Sequence, residues 1–256
     1  MKTISTFFLA AVILSSCVSQ RSIDVAFDDN TWLSRTAYDV SGLNKALFKK
    51  QVVQFGPYAT NGVKRSWTRG NSGYSGWVNT IWTKYERKEQ TLRFVLNDSL
   101  NNTAEVFCIN EVSSRDFIVG KNESSLPNII LDITGKGDTY SNLYFVEINV
   151  KGDPVPWTLV WNAPKAAVAN KGFIGYLQHG SKESFQIVPI SKMSSPKGVS
   201  DALFHAAVAY EFRTERNDPV AAFSEMKKRI YLSNVGPQLK LVLSSAATAL
   251  MLQEII

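Results

Sequence analysis

The chain has 256 residues, of which 45% are hydrophobic, 20% charged and 11% aromatic, and it carries a formal net charge of +6. Those proportions exclude a disordered, collagenous or low-complexity chain and leave room for one large domain or two small ones. Two Cys exclude a disulfide-built scaffold, and two His exclude most histidine-built metal centres.

The first element is a leader. Lys2 supplies a positive start, and Phe7-Phe8-Leu9-Ala10-Ala11-Val12-Ile13-Leu14 supplies an apolar run too short to span a bilayer, the form of a secretory signal. Small Ser15 and Ser16 follow, then Cys17. The string Leu14-Ser15-Ser16-Cys17 resembles the lipobox of bacterial lipoproteins. The resemblance covers residues 1–17 and implies that 1–16 are removed and Cys17 is acylated. Diacylglycerol on the thiol plus a further acyl chain such as palmitate on the new amino terminus would anchor the chain durably, since one chain alone binds membranes weakly. Val18 rather than Asp after the Cys resembles the sorting pattern for the outer membrane of a diderm cell. Residues 17–30 are polar and aperiodic, as expected of a lipidated tether.

From 31 to 192 short strands alternate with turn signals. Leu92, Phe94 and Leu96 share one side of a strand; so do Tyr144, Val146, Ile148 and Val150, and Trp157, Leu159 and Trp161. Further strands are expected at Phe173–Leu177 and Phe185–Val188. Asn61-Gly62, Gly135–Asp138, Lys151–Pro154 and His179–Ser181 punctuate the run. The expected body is an antiparallel β-sandwich or barrel.

Within it, the interval from Asn44 to Arg93 concentrates positive charge. Lys45, Lys49, Lys50, Lys64, Arg65, Arg69, Lys84, Arg87, Lys88 and Arg93 face only Glu86 and Glu89. A strand over 63–69 places Val63, Arg65, Trp67 and Arg69 on one face, with Tyr74 and Trp77 following among glycines. Guanidinium groups flanking aromatic rings can stack on a flat ligand and pair its anions. Lys64, Arg65, Trp67, Arg69, Tyr74 and Trp77 are therefore the candidate ligand-binding residues, and an envelope position favours an anionic glycan or lipopolysaccharide over nucleic acid. The same cations also suit a solvated outer face or a protected strand edge, with the Trp residues turned inward.

Catalytic and metal motifs fail on spacing. His179 and His205 stand far from any Cys pair, and Gly135-Lys136 lacks the flanking residues of a P-loop, so neither metal nor cofactor is expected. Phe94-Val95-Leu96-Asn97-Asp98-Ser99-Leu100 resembles the nucleophile block of the GDSL (SGNH) hydrolases, which would make Ser99 a secreted serine nucleophile. That family has Gly where Asn97 stands, and an Asp three residues before its His; Asp201 and His205 are four apart. A hairpin turn at 97–99 accounts better for the string. Cys108, the thiol left after acylation of Cys17, falls in a strand and reads as a small buried hydrophobe.

Residues 193–256 read as a helical segment. Ser200–Arg213 is rich in Ala; Asp218-Pro219 suits a capped helix start, with Phe223, Met226 and Ile230 at helical spacing. These two would form an α-helical hairpin joined at 214–218. Leu241–Leu252 carries no charge and is apolar nearly all round, too short for a membrane span. A docked, buried helix is the plain reading, and a protein-binding helix the sharper one. The expectation is a non-catalytic, membrane-anchored envelope lipoprotein that binds an anionic polymer or assembles with envelope proteins; a purely structural subunit is the third class.

Overall fold

The computed structural model describes residues 23–27, 34–44, 50–66, 91–113, 142–162, 166, 172–181, 183–203 and 206–253. Apolar alternation along its strands builds one wall. The strands are β1 (Asp24–Val25), β2 (Thr36–Asp39), β3 (Gln54–Phe55), β4 (Tyr58–Thr60), β5 (Lys64–Ser66), β6 (Thr91–Asn97), β7 (Thr103–Ser113), β8 (Asn142–Val150) and β9 (Trp157–Asn162). They continue as β10 (Gly175–His179), β11 (Glu183–Ile190), β12 (Lys192–Ser195), β13 (Gly198–Asp201), β14 (Ala209–Thr214), β15 (Pro219–Ser224) and β16 (Arg229–Leu232). A single helix, α1 (Pro237–Met251), follows among the described residues.

The main sheet is antiparallel, ordered β2-β16-β15-β14-β11-β10-β9-β8-β7-β6-β4-β3, with β5 beside β6. Its edges meet where Ser41 pairs with Gln54, through N–H···O bonds of 2.9 and 3.1 Å, so the sheet nearly closes into a barrel. Gly42 follows this seam at φ +78°, and a Cβ there would come within 1.8 Å of the Val52 carbonyl oxygen. No other residue fits that approach.

The barrel has two unlike rims. The turns at 98–102, 151–156, 180–181 and 215–218 lie at one end, the turn rim. The strands flanking 67–90, 114–141, 163–174 and 191–208 end at the other, the loop rim, together with the tight β15–β16 turn. A second sheet, β1-β12-β13, lies beside the loop rim, where Val25, Ala202, Val208 and Ala209 form a small outer core.

The lumen is filled by α1. Leu241 to Leu250 are all buried, on every face of the helix, and share one core with Leu92, Phe94, Val106, Tyr144, Val146 and Ile230 of the wall. A helix apolar all round must be buried, and a barrel of this strand number has the bore for one. Ala246, Ala247 and Ala249 keep the helix slim, and Thr248 Oγ1 donates to the Ser244 carbonyl at 2.7 Å, satisfying a hydroxyl that the wall cannot. On the outside Glu105 and Asn149 are exposed, while Ile109, Phe145 and Val160 are buried on that face too.

The mainly β body with a terminal helix is as expected. The α-helical hairpin is not: Ala209–Thr214, Pro219–Ser224 and Arg229–Leu232 are strands of the same sheet, so the body does not end at 192. Phe223 and Ile230 sit seven apart because they are cross-strand partners around the 225–228 turn, a spacing that also fits two helical turns. Pro219 is the first residue of its strand, where its missing N–H costs no ladder bond. The tether also ends earlier than residue 30, since Asp24–Val25 pairs with Ser194–Met193.

Candidate functional site

Lys64 and Arg65 are neighbours with opposite fates. Lys64 pairs with Arg93 on the outer face and is exposed. Arg93 lies 4.3 Å over the Phe107 ring on that same face, a cation–π contact that aligns it with the wall. Arg65 pairs with Leu92 and so points into the lumen. There it donates to Gln51 Oε1 and, at 3.3 Å, to the Leu252 carbonyl at the C-terminal end of α1. Gln51 in turn donates to the carbonyls of Leu43 (2.6 Å) and Gly42 (3.1 Å), tying the helix end to the barrel seam. Arg65 is thus placed as an internal latch and not on a ligand-facing surface. Trp67, Arg69, Tyr74 and Trp77 lie outside the described residues.

The opposite end of α1 is met by a carboxylate. Asp153 Oδ2 accepts from Gln238 Nε2 at 3.3 Å and lies 3.1 Å from His179 Nε2. His179 stacks on Trp157 at 4.6 Å, which fixes the imidazole against the wall. The helix has no acidic residue in its first turn, no basic residue in its last, and no side-chain cap. The barrel supplies both complements, Asp153 at the positive end of the dipole and Arg65 at the negative end. Tyr144 adds a third tie, its hydroxyl donating to the Ala249 carbonyl at 3.0 Å. The signals were present in the sequence, in the Lys151–Pro154 turn and in a lone Arg among apolar positions, but nothing there shows that both converge on one helix.

The nucleophile-like string is a hairpin turn, as its composition indicates. Asp98 Oδ1 accepts from the backbone N–H of Leu100 (2.8 Å) and Asn102 (2.9 Å), and Asp98 Oδ2 from Asn102 Nδ2 (2.8 Å). That carboxylate is consumed in shaping the turn between β6 and β7, leaving Ser99 exposed at the turn rim. Among the described residues no group of His, Cys, Asp and Glu is placed to hold a metal ion.

Cys108 is wholly buried beside Tyr144, and desolvation pushes its thiol up to about 12. Burial likewise raises Tyr210 and Tyr231 to about 12. In each case the native pKa exceeds the unfolded value, so the stabilisation is complete below the unfolded pKa and is lost as pH rises through the native one. Stability is therefore expected to fall from about pH 9, where an unfolded thiol ionises, toward about pH 12. Urea midpoints across that range test this, and a flat profile would refute it. In the chain started after Cys17, Cys108 should ignore Ellman's reagent until the protein unfolds.

No protein-family model, curated protein or solved structure matches the chain.

Proposed function

We propose that this is a lipid-anchored, non-catalytic protein of the bacterial cell envelope, held at the outer membrane through Cys17, which engages an anionic envelope polymer through the basic segment 44–93. The observation that carries the reading is Leu14-Ser15-Ser16-Cys17 behind a short apolar run. Supporting it, exposed Lys64 stands next to Arg93 on the outer wall, where β5 pairs with β6. A lumen filled by the chain's own helix also suits a rigid platform better than a ligand-enclosing barrel.

The test is cosedimentation of the chain started after Cys17 with purified cell-wall sacculi at low and high salt. Pelleting that weakens with salt is expected, because exposed charge pairs are screened. Lys64→Glu combined with Arg69→Glu should reduce it and flatten the salt dependence. Folded protein that stays in the supernatant at low salt overturns the polymer reading and leaves assembly with envelope proteins.

A further inference from the structure

We infer that β13 is a self-association edge: two copies of this chain pair their β13 strands antiparallel about a twofold axis at Val199, joining two three-stranded sheets into one of six. Nothing in this pairing depends on the lipid anchor.

The outer side of the strand is open to a partner. β13 ends the order β1-β12-β13, and among the described residues β12 is the strand it pairs with. All four of its residues are exposed, and Val199 keeps 65% of its surface in water. Ladder alternation fixes which backbone groups face outward. The Ala202 N–H donates to the Ser191 carbonyl at 2.6 Å, and Ser200 stands opposite Met193, so Ser200 and Gly198 bond toward β12. The Ala26 N–H donates to the Lys192 carbonyl at 3.0 Å, so Lys192 turns its own backbone the other way, toward β1. The N–H and C=O of Val199, one step from Ser200, therefore point away from the sheet. A β-branched residue with outward backbone groups on an exposed edge is a template for a further strand.

Charge selects the second copy and its register. With Val199 opposite Val199 of the partner copy, each Val N–H meets the other's carbonyl. Lys197 then stands opposite the partner copy's Asp201 twice, once on each side of the axis, and both residues are exposed. Asp201 is flanked by Lys192 across β12 and by the partner copy's Lys197 across the new ladder. Sliding the axis to Lys197 or Asp201 sets like charges face to face, which destabilises a strand pair. Sliding it to Gly198 or Ser200 sets Val199 against Lys197 or Asp201. An edge Lys ordinarily deters pairing, but here it admits one partner in one register. Four residues a side bury less than the roughly 1,000 Å² of a stable interface, so the dimer is weak and forms at high local concentration.

The test is disulfide trapping, which captures a weak dimer, in the chain started after Cys17, where Cys108 is buried. Cα atoms of a hydrogen-bonded antiparallel pair lie about 5.5 Å apart, within disulfide reach. Under mild oxidation Val199→Cys is expected to give covalent dimer several-fold faster than Leu100→Cys, a comparably exposed site at the turn rim. In the Val199→Cys chain, Lys197→Glu or Asp201→Lys alone should lower the rate to that of Leu100→Cys. Mixing the two variants should restore it, because each chain then meets the opposite charge on both sides of the axis. Restoration also shows that both variants fold. Val199→Cys no faster than Leu100→Cys overturns the self-pairing. Single charge variants that trap at the full rate, or a mixture no faster than either alone, overturn the register that charge selects.

Discussion

A chain ended before Pro237 is expected to lose its cooperative unfolding transition altogether. The helix is the central filling of the barrel, not an appendage: Leu241, Val242, Leu243 and Leu250 are each at most 1% exposed, and the helix packs against β6, β7, β8, β15 and β16. Burying one such side chain stabilises by about 1.5–3 kcal/mol. Four of them approach the whole stability of an ordinary domain, about 5–15 kcal/mol. Without α1 the inward-facing Leu92, Phe94, Val106, Tyr144 and Val146 would line a wet bore. The expected product keeps strand signal in the far ultraviolet, loses the near-ultraviolet signal of its Trp and Tyr residues and binds hydrophobic dyes. A graded version guards against simple failure to express. Leu243→Ala should cost about 2–5 kcal/mol, since a small residue in a closed bore leaves a cavity. A truncated chain that melted as sharply as the full one would falsify the packing described. It would also reopen the helix as a free partner-binding surface.

That reversal shows which parts of the fold could be read from the residues. Period-two alternation is local, so Leu92-Phe94-Leu96 and Trp157-Leu159-Trp161 mark their strands and their inward faces directly. The uncharged 241–252 stretch announces burial, because no helix face is left for water. What it cannot announce is burial inside the barrel, which depends on how far the sheet curls before it closes at Ser41 and Gln54. The same limit explains residues 209–232. Tyr210 and Phe212 alternate as strand residues should, yet Ala content and the Asp218-Pro219 pair point to helix. The ladder between β11 and β14 settles the conflict through pairs such as Pro189 with Tyr210 and Ile187 with Phe212, far apart in the chain. For the candidate site, the charge excess of 44–93 was legible, but the side of the wall each cation takes was not. One step in register separates Lys64 outside from Arg65 inside.

Substitutions at those two adjacent positions are therefore expected to part company. Arg65→Met removes the donor from the Leu252 carbonyl and leaves Gln51 Oε1 without its guanidinium. Losing a charged hydrogen bond in a partly buried place costs about 1–3 kcal/mol. Arg65→Glu should cost more, because a carboxylate set at the C-terminal end of a helix adds repulsion of about 0.3–1 kcal/mol to the lost bonds. Asp153→Asn, at the other end of α1, keeps the shape and removes only the charge, so a smaller loss is expected. Lys64→Glu lies on the exposed face and should change stability by no more than about 0.5 kcal/mol. Urea midpoints at constant slope measure all four. If Arg65→Met were as harmless as Lys64→Glu, the guanidinium would not be latching the helix, and Arg65 would return to the set of surface cations open to a ligand. If the ordering holds, weakened retention in an Arg65 variant reports a loosened barrel, and the Lys64 change, on the exposed face, is the one that tests the proposed binding.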